Sequence, residues 1–171
     1  MSGTRVAVTG TPGTGKTTAV EHVETDLEVV HLNDVVREQE FATGTDPDRG
    51  SLVADVDAVG EWLAGRDDLL VESHLAHHFP ADRVVVLRCH PETLERRLRE
   101  RGETAEKARE NAEAEALDVV LSEAVDAHGL ESVYEIDTTD RTPEEVAAEI
   151  EAVIAGTREP SAGTVDFIEY L

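Results

Sequence analysis

Apolar residues along this chain fall into two alternating patterns. Short runs of aliphatic and β-branched residues occur at 6–9, 29–32, 69–72, 83–88 and 133–136, each of the length and character of a strand buried on both faces. Between them apolar positions recur every three to four residues, predicting helices over 16–24, 34–40, 55–63, 91–101 and 143–154. An Ala/Glu-rich stretch at 105–127 reads as one long helix broken near its start. Strand and helix in regular alternation predict an α/β fold, a five-stranded parallel sheet covered by helices. Residues 42–51 (ATGTDPDRGS) are rich in turn formers and read as a mobile loop or small insert. Residues 156–164 (GTREPSAGT) read as a linker. The apolar end at 165–171 (VDFIEYL) is most simply a loosely ordered tail, the other reading being a peptide that docks on its own domain or on a partner.

The first predicted strand runs into GTPGTGKTT at residues 10–18, and a helix pattern follows. This is the phosphate-binding pattern G-x-x-x-x-G-K-S/T with both of its flanks in place; a chance match in a chain of this size is on the order of one per cent. Gly13 and Gly15 permit backbone conformations that turn successive N–H groups around an anion. Lys16 adds a full positive charge toward the β- and γ-phosphates of a triphosphate. The Thr17 hydroxyl suits Mg²⁺, and the receiving helix, which includes Thr18, turns its positive end toward the phosphates.

Charge narrows the setting. With 15 basic and 38 acidic residues the 171-residue chain carries a formal charge of −23, and Lys16 is one of only two lysines. Recurring apolar runs argue against disorder, so the charge reads as a solvated acidic surface around one folded core, as expected of a halophilic microbial protein whose self-repulsion is screened by salt. Such a surface opposes broad docking on nucleic acid or on an anionic membrane, and suits a basic protein partner. Cys89 is the single cysteine, which excludes an intrachain disulfide and points to a reducing, cytoplasmic compartment. The first strand starts too soon after Met1 for a signal peptide, and no apolar run approaches membrane-spanning length.

Phosphoryl transfer needs positioned charge more than covalent chemistry, so carboxylates and arginines beside the loop matter most. Glu72 ends a predicted strand where such folds hold Mg²⁺, and His74 lies two residues beyond it. His77 and His78 follow at helical spacing, but read as exposed histidines rather than as a metal cluster. Arg97 and Arg101 share one face of the helix at 91–101, with Arg101 at the mouth of the expected site. Asp34 and Arg37 follow the second strand, where a second substrate would bind.

The ordered set GTPGTGKTT, Asp-x-x-Arg-Glu at 34–38, acid-x-His at 72–74, Val-Leu-Arg at 86–88 and Arg-x-x-x-Arg-Gly at 97–102 resembles the adenylate kinase family of archaea and the eukaryotic nucleus, whose eukaryotic members are also described as a coilin-interacting nuclear ATPase and ribosome-assembly factor. The resemblance spans about 6–154. It implies a P-loop NTPase three-layer fold over residues 1–155, with a nucleoside-monophosphate-binding segment at 31–54, a short lid at 100–110 and a C-terminal tail at 156–171. It implies ATP and Mg²⁺ bound by Gly13, Gly15, Lys16, Thr17 and Thr18, with Arg101 reaching the triphosphate as the lid closes. Lys16, His74 and Arg101 would be catalytic, Asp34 and Arg37 would bind AMP or another nucleoside monophosphate, and Thr17 and Glu72 would hold the metal. Glu72 departs from the family's usual Asp. The implied reaction is ATP plus AMP to two ADP, with ATP hydrolysis alongside it. A role in small-ribosomal-subunit maturation, with a platform ribosomal protein as partner, is also implied. The alternatives are an ATPase assembly factor with little kinase activity, or another small P-loop kinase of the shikimate type.

The acidic surface carries its own prediction. The melting temperature should rise from low salt to molar KCl as self-repulsion is screened; equal melting in both would refute the salt-adapted reading.

Overall fold

The structure, a computed structural model, describes residues 3–45 and 52–171. From the amino end the chain forms β1 (Arg5–Thr9), α1 (Lys16–Glu21), β2 (Glu28–His31), α2 (Leu32–Glu38), β3 (Ala42–Thr45), β4 (Leu52–Ala54) and α3 (Val56–Leu63). It continues through β5 (Leu69–Glu72), β6 (Arg83–Arg88), α4 (Pro91–Glu100), α5 (Ala105–Ala116), α6 (Val119–His128), β7 (Val133–Asp137) and α7 (Pro143–Ala155).

Five strands pair in the order β2-β5-β1-β6-β7, and every pairing is parallel. The fold is therefore the expected α/β P-loop architecture. Strand alternation sends Val6 and Val8 of β1, with Val85 and Leu87 of β6, into one layer, where they meet Ala19 and Val20 of α1 and Val146, Ile150 and Val153 of α7. Ala7, Val84 and Val86 point the other way, toward Val35 and Val36 of α2, Val59 and Leu63 of α3 and Ala124 of α6. Because both faces are covered, the strands read as unbroken apolar runs. All five strands end at the same sheet edge, so the turns that follow β1, β5, β6 and β7 are brought together there. No helix among the described residues is long and apolar enough to cross a membrane.

Several boundaries differ from the sequence expectation for local reasons. Leu32 looks like a strand residue because it is apolar, but His31 is the last extended residue and Leu32 opens α2, buried at 1 % exposure. Helix α1 stops at Glu21 rather than at residue 24. The first part of the expected loop at 42–51 is strand β3, paired antiparallel with β4 just beyond the loop, whereas residues 46–51 lie outside the described ones.

The expected long helix at 105–127 is two helices, and the break lies in its middle rather than near its start. Asp118 adopts the left-handed conformation, φ 57°. It is held there by Arg88, whose Nη2 donates to both the Asp118 carboxylate and the Glu115 carbonyl. Arg88 is 1 % exposed and also donates to the carboxylates of Glu115 (3.1 Å) and Glu135 (2.7 Å). Burial pulls the Arg88 pKa down, but Glu115, Asp118 and Glu135 outweigh it, so the guanidinium is held charged.

The tail is packed rather than loose. The Ser161 N–H donates to the Val133 carbonyl at the free edge of β7, Arg158 Nη2 donates to the Glu135 carbonyl, and the Tyr170 hydroxyl donates to Glu95 of α4. Tyr170 also packs on the cluster formed by Leu94 and Leu98 of α4 and Ala108 and Ala112 of α5.

Candidate active site

The loop after β1 closes around its own carbonyls. Gly10 has φ 150°, and a Cβ there would lie 2.7 Å from the Leu87 carbonyl oxygen, so only glycine passes beneath β6. Gly15, at φ 88° and ψ 25°, turns the chain into α1. Lys16 folds back so that Nζ donates to the Gly10 and Thr11 carbonyls at 2.9 and 3.1 Å. Burial lowers its pKa from 10.5 to about 8, partly offset by Glu72 and Glu115.

A cavity of about 720 Å³ opens above this loop. Its floor includes Gly13, Gly15, Lys16, Thr17 and Thr18, while Glu72 and His74 reach it from β5 and the following turn. Arg97 and Arg101 line it from α4. Arg97 is anchored, donating to the Gly13 and Thr138 carbonyls at 3.3 and 3.4 Å, whereas Arg101 is exposed at the end of the helix. Nine of the residues singled out from the sequence thus converge on one space.

Asp34 and Arg37 do not line this cavity. They pair with each other at 3.4 Å on the outer face of α2, both exposed, and Asn33 is the α2 residue on the cavity wall. The sequence reading also missed His31, whose Nδ1 lies 2.8 Å from Glu72 Oε1, the same oxygen that accepts the Thr17 hydroxyl at 3.1 Å. The β2–β5 register sets His31 directly opposite Glu72, a pairing that no linear pattern announces. Thr138, Arg141, Pro143 and Val146 form another part of the wall.

The Thr17 hydroxyl and the Glu72 carboxylate are hard oxygen donors. Adjacent ligands of an octahedral Mg²⁺ at about 2.1 Å sit roughly 3 Å apart, the separation of the Thr17 and Glu72 oxygens, so this donor pair fits that ion in type and spacing. The extra methylene of Glu72 relative to Asp does not prevent this approach.

His74 sits in the turn after β5, which Ser73 pins by donating from its N–H to the Val8 carbonyl and accepting from the Leu75 N–H. Burial, with Lys16, His77 and His78 adding to it, lowers the His74 pKa from 6.5 to about 4. His77 is not an exposed histidine: it is 1 % exposed, with Nδ1 2.7 Å from the Thr9 hydroxyl and Nε2 3.1 Å from Glu123. His77, His78 and Glu123 have potential ligand atoms within 4.8 Å of one another. Both ring nitrogens of His77 are already engaged by protein groups, so the cluster is accounted for by packing.

The comparisons with known proteins follow this geometry. The family model described as "AAA domain" matches residues 6–118. Proteins named "Putative adenylate kinase" from Natronomonas pharaonis, Halobacterium salinarum and Methanothermobacter thermautotrophicus are 68 %, 62 % and 46 % identical; the matches cover 98 %, 98 % and 97 % of this chain and 99 %, 99 % and 98 % of the relatives. The chain belongs to this archaeal adenylate kinase family. The acidic, lysine-poor composition fits the Natronomonas and Halobacterium members of the family. Kinases of the P-loop class use ATP with Mg²⁺, which agrees with the donor set around Lys16, Thr17 and Glu72. A solved shikimate kinase from Acinetobacter baumannii, bound to shikimate, superposes with a TM-score of 0.64 over 91 % of this chain and 95 % of its own. At 16 % identity it speaks for the shared fold alone.

His74 provides a direct check on the site's electrostatics. Its folded pKa is depressed, so its contribution to stability is present above pH about 6.5 and is lost as pH falls through about 4. In an NMR titration its ring protons should stay at neutral-imidazole shifts from pH 8 down to about 5; a midpoint near 6.5 would contradict the burial described here.

Proposed function

We propose that this chain is a nucleoside monophosphate kinase that converts ATP and AMP to two ADP and slowly hydrolyses ATP when no monophosphate is bound. The observation that carries the reading is the convergence of Lys16, Arg97, Arg101, Glu72 and His74 on the cavity above the loop. The names borne by relatives of up to 68 % identity support the choice of acceptor.

In this reading, the loop N–H groups and Lys16 hold the β- and γ-phosphates, and anchored Arg97 fixes the triphosphate's position. Arg101, exposed at the start of the 100–110 segment, swings onto the γ-phosphate as that segment closes as a lid. Thr17 and Glu72 would hold Mg²⁺, with His31 orienting the carboxylate, and the ion would supply charge neutralisation at the phosphate oxygens. Asp34 and Arg37, in the 31–54 segment, reach AMP when that segment moves toward the cavity. An AMP phosphate oxygen then attacks the γ-phosphorus in line as the bond to the ADP oxygen breaks. Neutral His74 hydrogen-bonds the transferring group without adding charge. Closure removes water, whose attack is the hydrolytic side reaction; a lid this short seals incompletely.

The same proposal includes the finer role implied by the family resemblance, a cytoplasmic factor in small-subunit maturation that grips a platform ribosomal protein. A chain of charge −23 supports a basic partner of this kind. ATP-dependent capture of a small-subunit protein in a pull-down is the expected outcome. Equal capture with and without ATP would remove this part of the proposal.

For the kinase, MgATP alone should release phosphate slowly, and added AMP should raise ADP formation well above that rate. Lys16→Ala should lower both activities by roughly a hundredfold or more, since it removes charge stabilisation at the transferring group. If no nucleoside monophosphate raises ADP above hydrolysis, the kinase assignment fails.

A further inference from the structure

Thr11 does more in the loop than its unspecified place in the motif implies. Its carbonyl accepts from the Thr14 N–H (3.2 Å), the Thr14 hydroxyl (2.8 Å) and Lys16 Nζ (3.1 Å), so the loop's curvature and the lysine's seat both depend on where Thr11 lies. Its own hydroxyl donates to Glu115 Oε1 at 2.9 Å. Glu115, on α5, is 1 % exposed and is not among the residues that line the cavity.

Glu115 is in turn part of a continuous buried chain of hydrogen bonds. Its Oε2 accepts from the Cys89 N–H at 2.8 Å and from Arg88 Nε at 3.1 Å. Arg88 Nη1 donates to Glu135 Oε2 at 2.7 Å, and the other Glu135 oxygen accepts from the Thr164 N–H of the C-terminal segment at 2.8 Å. Each carboxylate divides its two oxygens between neighbours on opposite sides, so the chain runs unbroken from Thr164 through Glu135, Arg88 and Glu115 to Thr11. Phe167 covers the Arg88 guanidinium, its ring centroid 5.5 Å from Cζ.

We propose that Glu115 is a positioning residue for the nucleotide loop, acting through Thr11, and that docking of residues 157–171 completes the buried network that holds Glu115 in place. The C-terminal segment thereby supports ATP binding without touching the nucleotide. Buried charged groups make this coupling effective, because a carboxylate that loses one donor inside the protein shifts to recover another rather than remaining unpaired. Undocking the tail removes the Thr164 donor from Glu135 and the Phe167 cover from Arg88, and the displacement passes to Glu115 and the loop.

The inference rests on the reading of the loop as a triphosphate site, and the test separates the two. MgATP affinity is measured by direct titration, together with kcat and KM for ATP and AMP and the melting temperature. The wild-type chain is compared with Thr11→Val, Thr11→Ser, Phe167→Ala and the Thr11→Val/Phe167→Ala pair. Thr11→Val should weaken MgATP binding about tenfold, as expected for a lost hydrogen bond to a charged group. KM for AMP should not change, and Thr11→Ser, which keeps the hydroxyl, should restore affinity. Phe167→Ala should weaken MgATP severalfold, and the pair should bind no worse than about the weaker single variant, because both act through one network. A general structural defect would instead lower the melting temperature and kcat without separating ATP from AMP, and would overturn the proposal. So would Thr11→Val binding within twofold of wild type, or full multiplication of the two effects in the pair. A wild-type chain that bound no ATP would overturn the triphosphate reading itself.

Discussion

A guanidinium removed from water has to be answered by carboxylates, and much of this structure is arranged around that demand at Arg88. Strand β6 ends with its side chain 1 % exposed beneath α5, α6, β7 and the tail. Leaving such a charge unpaired would cost several kcal/mol, so its surroundings contribute three carboxylates: Glu115 from α5, Asp118 from the break before α6, Glu135 from β7. The geometry of that answer sets where α5 stops, why Asp118 takes a left-handed backbone, and where the C-terminal segment lies. It also places Glu115 within reach of the phosphate-binding loop. A feature that sits outside the cavity thus determines the shape of its floor.

The cavity shows the opposite electrostatic arrangement. The chain is overwhelmingly acidic, yet Lys16, Arg97, Arg101 and Arg141 gather on the cavity at the edge where the five strands end, and of the two carboxylates that line it with them, Glu72 and Glu100, Glu72 is tied to Thr17 and His31. Acidic residues elsewhere solvate the surface. Concentrating positive charge in a partly enclosed site, where screening by salt is weaker than at the surface, preserves attraction for a polyphosphate in a concentrated salt medium. His74 completes this arrangement as a neutral group among cations, since burial and Lys16 together disfavour its protonation.

Most of the sheet and the donor half of the site were legible along the chain, for a common reason. A parallel strand covered on both faces must be apolar at consecutive positions, and a phosphate loop works through consecutive backbone groups, so residues 69–72 and 10–18 announce themselves locally. The acceptor half was less legible. Asp34 and Arg37 share a motif spacing, yet the structure turns them outward and presents Asn33 to the cavity, because Leu32 takes the buried place at the start of α2. His77 misled in the same way: its neighbours suggested exposure, while the turn after β5 folds it under α6 against Thr9 and Glu123.

By itself the sequence determined that this is an α/β chain with a phosphate-binding loop motif, an acidic composition and a pair of arginines on one face of the helix at 91–101. Those properties belong to short stretches or to composition, and they hold whatever the distant residues do. Only the tertiary structure decided that His31 faces Glu72 across the β2–β5 register, that Asp118 breaks the helical stretch at its middle, and that the tail is packed. Each is imposed by a partner far away in the chain, Arg88 acting on Asp118 and Glu135 on Thr164. A desolvated charge selects its partners by position in space, and sequence order does not record that position.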